Sequence, residues 1–189
     1  MAERGDDAPV RGLARPVALV GMMGCGKTAV GTALAARLGV PFRDTDHAIE
    51  TASRMTIPEI FERDGEAFFR ARESEVLRRL LAGGPAVIST GGGAFLRAEN
   101  RAAIAARGIS VWLRAPADLL WSRVRHRTTR PLLNTADPRG TLERLLAERV
   151  PHYARAGVVV DSAPDCTIPE MVDRVVLALR AAHLLEEPA

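Results

Sequence analysis

A three-layer α/β fold, with a central five-stranded parallel sheet flanked by helices, is the architecture this sequence predicts. Short apolar runs recur along the chain: PVALV (Pro16 to Val20), AVIST (Ala86 to Thr90), ISVWL (Ile109 to Leu113) and GVVVD (Gly157 to Asp161). Runs of this length, apolar without alternation, suit parallel strands buried on both faces. Stretches with helical apolar spacing separate them, which is the rhythm of a βαβ series. The glycine-rich stretch GMMGCGKT, Gly21 to Thr28, joins the first run to the first helix.

The composition fits one ordinary domain. The chain has 189 residues, of which 47% are hydrophobic and 26% charged, and chains divide into separate cores only beyond about 250 residues. Acidic and basic residues balance to a net charge of +3, without a basic run and with 4% aromatics. Nucleic acid is therefore an unsuitable partner, and small anions suit the chain better. Cys25 and Cys166 lie far apart in sequence without metal-ligand spacing, which predicts neither a disulfide framework nor a zinc site and suits a reducing cytoplasm. The opening MAERGDDAPVRGLAR lacks the apolar core of a secretory signal and reads as a flexible tail over residues 1–15. No stretch approaches the roughly 18 apolar residues of a membrane span.

Taken in chain order, Pro16 to Val20 is the first strand and Lys27 to Leu38 the first helix, stopped by Gly39. Between them G-x-x-x-x-G-K-[ST] is a phosphate-binding pattern. Backbone N–H groups of Gly21, Gly24 and Gly26 surround an anion, Lys27 reaches the outer phosphates, and the Thr28 hydroxyl is placed for magnesium. The helix N-terminus adds partial positive charge. Composition supports the assignment: of 26 Lys and Arg residues 25 are arginine, and the single lysine is Lys27. A compact ammonium fits a tight phosphate nest where a planar guanidinium does not. Cys25, Met22 and Met23 read as small or packing residues within the loop.

A second strand is expected just before DTDHAIE (Asp44 to Glu50). Its two carboxylates, two residues apart at a strand end, point the same way and can share a site, one toward a metal shell and one toward an alcohol. Helix capping by either aspartate is an equal alternative. Thr56 with Pro58 opens the next helix. Within it Arg70 and Glu73, spaced i and i+3, lie on one face, either as a braced anion-binding guanidinium or as a solvated ion pair. The strand AVIST is followed by Gly91, Gly92 and Gly93, which bare the backbone at the strand end where open α/β sheets bind ligands. Pro116 opens the helix ADLLWSRV, and Pro169 opens MVDRVVLALRAAHLL. Between those two helices RHRTTRPLLNTADPRG, Arg125 to Gly140, is long, with prolines, threonines and alternating arginines, and is a candidate mobile lid.

In combination these segments resemble the shikimate kinases, within the nucleoside monophosphate kinase-like group of P-loop proteins. GMMGCGKT, DTDHAIE, IFERDGEAFFRARE, STGGGAF, RPLL and RVPHYARA stand in that family's order and spacing, from Val17 to about Leu185. The resemblance implies a P-loop fold that phosphorylates the shikimate 3-hydroxyl, with ATP as co-substrate and Mg2+ as cofactor. It implies that Gly21, Gly24, Cys25, Gly26, Lys27, Thr28 and Ala29 cradle the nucleotide, with Arg123 lying against adenine. Thr28 and Asp44 would hold the metal. Asp46, Arg70, Gly92, Gly93 and Arg149 match the shikimate-binding positions, the two arginines gripping the carboxylate and Glu73 orienting them. Lys27, Asp46 and the lid residue Arg130 match the catalytic positions.

Three departures stand out: Cys25 where the family loop has Ser or Ala, Thr28 where Ser is common, and an adenine loop, VDSAPDCTIPE, without the arginine of some relatives. A different metabolite kinase, such as a gluconate kinase, and a nucleotide-dependent switch are the rival readings. The chain lacks the N-K-x-D guanine signature of many switches. The whole is expected to be a single kinase domain over residues 16–186, monomeric and cytoplasmic, without membrane attachment.

Overall fold

The computed structural model describes residues 12–126 and 131–185. The expected lid arginine, Arg130, and residues 1–11 lie outside that range. Five parallel strands form one sheet in the order β2-β3-β1-β4-β5: β1 Val17–Val20, β2 Phe42–Asp44, β3 Val87–Ser89, β4 Ile109–Arg114 and β5 Val158–Asp161. β1 is central and its four apolar side chains are all buried, as a strand covered on both faces requires. At the sheet edge β5 alternates, with Val158 and Val160 inward and Val159 outward.

Among the described residues seven α-helices flank the sheet: α1 Lys27–Leu38, α2 Thr45–Ser53, α3 Ile57–Ala82, α4 Ala98–Arg107, α5 Ala117–Val124, α6 Pro138–Tyr153 and α7 Ile168–Ala181. α1 packs on α7, α3 on α4, and α5 on α6. The ends are decided by Gly39 and Thr56, as expected, and by a capping pair at α7 that the sequence reading did not name. Gly39 caps α1 in the left-handed region, and Thr56 with Glu59 and Thr167 with Glu170 form capping boxes at the starts of α3 and α7. Gly65, at φ 81° and ψ 169°, kinks α3 into two arms. Ile49, Ile60, Phe69 and Val76 bury one another in a small core between α2 and α3, apart from the main core around the sheet.

Two expectations meet more detail than the sequence offered. Leu13, within the segment read as a tail, is 2% exposed and bridges Leu185. In the candidate lid, Pro131–Leu133 forms a 3-10 turn, while Pro138 to Gly140 are already the first turn of α6, capped by Asp137 accepting from the Gly140 N–H at 3.0 Å. Among the described residues no helix is long and apolar enough to cross a membrane.

What the fold does for function is to place three chain segments at the carboxyl end of the sheet. Asp44 of β2 registers with Ser89 of β3, and β3 registers with β1, so Asp44 ends its strand where Gly21 and the triple glycine follow the neighbouring ones. The crossover leaving β1 and the one leaving β3 run to opposite sides of β1, which opens a crevice between them.

Candidate active site

The phosphate loop has the backbone its glycines allow. Gly21, Gly24 and Gly26 have φ of 139°, 84° and 99°, a region that L side chains rarely adopt. A Cβ on Gly24 would stand 2.7 Å from Val124 Cγ1, so the loop is also closed against α5. Lys27 folds back on the loop and donates from Nζ to the carbonyls of Gly21 at 2.8 Å and Met22 at 3.2 Å. Cys25 is buried, its Sγ 3.7 Å from Lys27 Nζ. Arg123, on α5, donates to the Gly24 carbonyl at 3.3 Å.

Asp44 does cap the helix, with one oxygen, and keeps the other clear of the cap. Its Oδ1 caps α2, accepting from the N–H groups of Asp46 at 3.0 Å and His47 at 3.2 Å. Its Oδ2 accepts from the Thr28 hydroxyl at 3.3 Å, beside the phosphate loop. The cap also fixes Asp46 in the first turn of α2. Burial first, and then the charges of Asp44 and Glu73, lift the Asp46 carboxyl to about 6 against the pull of Lys27.

Arg70 and Glu73 are not the solvated pair that spacing alone permits. Glu73 is 0% exposed, and its Oε2 accepts from Arg70 Nη1 at 2.9 Å. Burial pushes the Glu73 carboxyl up, while Arg70, Arg97 and Arg149 pull it back down. The other Glu73 oxygen, Oε1, and Asp46 Oδ1 are buried without a hydrogen-bond partner. Both stand against Gly91, where a Cβ would lie 2.5 Å from Glu73 Oε1 and 2.9 Å from Asp46 Oδ1. Gly93 packs in the same way on Arg70, whose Nη1 would be 2.5 Å from a Cβ there, and Gly92 faces Arg149 Nη1 at 3.4 Å. The triple glycine is therefore a contact surface for four charged side chains.

Arg149 enters from α6 and is 8% exposed. Its guanidinium donates to Met22 Sδ at 3.9 Å and also meets the Tyr153 hydroxyl, and among the described residues no carboxylate lies within ion-pair distance of it. A buried guanidinium left in this way is costly unless an anion completes it.

A cleft of about 1030 Å³ joins these parts. The loop from Met23 to Val30, Asp44, Asp46, Ser89 to Gly92 and Arg123 line it, and Ser162, Cys166, Thr167, Ile168 and Met171 wall the end beneath the loop that follows β5. The structure thus gathers the expected site residues that it describes around the cleft and the triple glycine, with Arg70, Gly93 and Arg149 outside the cleft lining, Arg70 packed on Gly93 and Arg149 on Gly92.

Gly91, which the sequence marked only as one of three glycines, packs at the site, and Thr45 and Tyr153, which sequence did not single out, contact the glycine loop. Gly91 separates the two carboxylates. Thr45 accepts the Gly91 N–H on its Oγ1 at 3.0 Å. Tyr153 donates to the Gly92 carbonyl at 2.6 Å. The signal for Tyr153 was its being the one tyrosine of the chain, four residues after Arg149 on a helix. Gly91→Ala is expected to force Asp46 and Glu73 apart. Overpacking of this kind costs about 1–3 kcal/mol, readable as a lower urea midpoint together with a loss of acceptor binding. An unchanged acceptor titration would contradict the close approach.

A strand, phosphate loop and helix at the crevice of a 2-3-1-4-5 parallel sheet, opening onto a charged pocket beyond the nucleotide, define a P-loop phosphotransferase acting on a small anionic acceptor. Comparison with known proteins makes this specific. A family model described as shikimate kinase matches residues 23–180, and the chain belongs to the shikimate kinase family. The shikimate kinase of Ruegeria pomeroyi is 60% identical over 173 residues, covering 92% of this chain and 89% of that one. That of Cereibacter sphaeroides is 57% identical over 167 residues, covering 88% and 83%. The solved shikimate kinase of Acinetobacter baumannii in complex with shikimate superposes with a TM-score of 0.83 at 39% identity, covering 91% of this chain and 96% of that one.

Proposed function

We propose that this chain is a shikimate kinase, transferring the γ-phosphate of ATP to the 3-hydroxyl of shikimate to give shikimate 3-phosphate and ADP on the route to chorismate. Family membership supports the activity, and one observation carries the assignment of the pocket: Arg149, a buried guanidinium without an acidic partner among the described residues, facing Gly92 beside Asp46. A carboxylated polyol supplies both the anion that Arg149 lacks and the alcohol that Asp46 needs.

In this reading Arg149 and Arg70 hold the shikimate carboxylate, with Glu73 keeping the Arg70 fork in plane. The bare N–H groups of Gly92 and Gly93 face the ring hydroxyls. Asp46 accepts the proton of the attacking hydroxyl as the new O–P bond forms and the bond to ADP breaks. Such transfers pass through a loose transition state, so alignment and charge neutralisation outweigh strong base catalysis. Lys27 leaves the carbonyls of Gly21 and Met22 for the outer phosphates. Arg123 sits at the adenine side, and Arg130, from the lid, adds a cation at the transferred group.

The donor set fits magnesium: a hydroxyl and a carboxylate oxygen 3.3 Å apart, Thr28 Oγ1 and Asp44 Oδ2, the second left free of capping by Oδ1. Mg2+ held there would offset phosphate charge. We read residues 16–186 as one kinase domain, monomeric and cytoplasmic, and residues 125–140 as a lid that closes to exclude water and prevent idle hydrolysis. Amide hydrogen exchange over 125–140 is expected to be fast in the free protein and suppressed by ATP analogue and shikimate together. Uniform protection without ligand would contradict a lid.

The activity is tested by coupled ADP release with shikimate, gluconate and nucleoside monophosphates as acceptors. Turnover with shikimate alone is expected. Preference for gluconate or a nucleotide would overturn the substrate, and ATP binding without turnover on any acceptor would make the chain a nucleotide switch.

A further inference from the structure

The triple glycine has no side chains to hold its shape, so its conformation must be imposed by neighbours. Three consecutive peptide units are each pinned once. The Gly91 N–H donates to Thr45 Oγ1 at 3.0 Å, the Gly91 carbonyl accepts from the Ala94 N–H at 3.1 Å, and the Gly92 carbonyl accepts from the Tyr153 hydroxyl at 2.6 Å. Among the described residues neither the Gly92 nor the Gly93 N–H donates to a protein acceptor. The third pin differs from the others in origin, because it comes from α6, the helix that carries Arg149 one turn earlier.

Tyr153 is well suited to hold a fixed position. It is 0% exposed, and its ring meets the Trp112 ring at 5.8 Å between centroids. Burial pushes its hydroxyl up to about 12, so the group stays a donor at any working pH. A trans peptide is planar, with its N–H opposite its carbonyl. Fixing the Gly92 carbonyl on Tyr153 therefore turns the Gly93 N–H away from Tyr153, next to Gly92, which borders the cleft.

We propose that Tyr153 is a positioning residue for the acceptor: by pinning the Gly92–Gly93 peptide it aims the Gly93 N–H at the acceptor and keeps it in register with the Arg149 guanidinium. This rests on the shikimate kinase reading and assigns a further residue to its specificity. Phenylalanine retains the ring and the packing on Trp112 but removes the pin, together with the hydroxyl's contact to Arg149, and the peptide is then free to turn.

Steady-state kinetics of Tyr153→Phe test the role. One lost hydrogen bond of this type corresponds to about a tenfold change, so KM for shikimate is expected to rise about tenfold, while KM for ATP and kcat stay within about twofold. Unchanged KM values, or KM values for shikimate and ATP rising in parallel, would mean a merely structural tyrosine and overturn the proposal. A wild-type measurement stands beside it in case the variant fails to fold. In protein labelled with 15N-glycine, saturating shikimate is expected to shift the Gly93 amide proton, and an unmoved Gly93 signal overturns the proposal. A wild type inactive on shikimate overturns the functional reading and this inference with it, whereas an active wild type matched by Tyr153→Phe overturns the inference alone.

Discussion

Arg149→Ala is expected to raise KM for shikimate by more than about 100-fold while ATP affinity stays within a few-fold of wild type. The size follows from what the residue offers. Hydrogen bonds to charged groups contribute about 1.5–3 kcal/mol each, and a guanidinium can make two to one carboxylate. Loss of the pair therefore costs about 3 kcal/mol or more. The free protein keeps Arg149 buried on Met22 Sδ with no carboxylate at ion-pair distance among the described residues, so its removal breaks no direct ion pair and weakens only its longer-range pull on Glu73. The melting temperature should consequently move by only a few degrees, as for a residue retained for binding at some expense of stability. Isothermal titration with each ligand and a thermal melt read all three quantities. A large fall in stability, or equal losses for shikimate and ATP, would show that Arg149 holds the fold rather than the substrate.

Asp46→Asn is expected to lower kcat by about 10² to 10⁴-fold, the range of a positioned acid or base, with ATP binding retained. Asparagine keeps the shape and the place in the first turn of α2 but cannot take the hydroxyl proton. The wild-type carboxyl, lifted to about 6, is mostly ionised at neutral pH and still basic enough to receive that proton. The variant also removes one of two buried carboxylates that converge on Gly91, so the folded state should be no less stable. Rapid-quench single turnovers with bound ATP isolate the chemical step. A rate within threefold of wild type would exclude Asp46 from it, and lost nucleotide binding would place it on the wrong ligand.

How much of this was legible in the chain depended on contact range. GMMGCGKT could be read because its function is local: glycines, lysine and threonine act within eight consecutive residues, and the strand and helix around them are marked by their own apolar periods. Asp44 was legible in kind but not in role, since capping and metal binding look alike in sequence. Only geometry shows that one oxygen caps α2 while the other stays clear of the cap, beside Thr28. The spacing of Arg70 and Glu73 gave the pair, yet not the burial that separates an anion clamp from a surface ion pair. Gly91 was visible only as one of three glycines, because the carboxylates it separates come from α2 and α3. Thr45 and Tyr153 reach the glycine loop across 46 and 61 residues of sequence, and no periodicity reports contacts of that span. The kink at Gly65 escaped for a related reason, since a glycine inside a helical pattern reads the same whether or not it bends the chain.

A crystal structure with shikimate and ADP bound tests most directly whether the phosphate loop and the buried charges around the triple glycine serve one transfer. The account predicts the shikimate carboxylate between the Arg70 and Arg149 guanidiniums, with the 3-hydroxyl within hydrogen-bond distance of Asp46 and turned toward the ADP phosphates. A carboxylate bound elsewhere, or a different hydroxyl presented to Asp46, would contradict it.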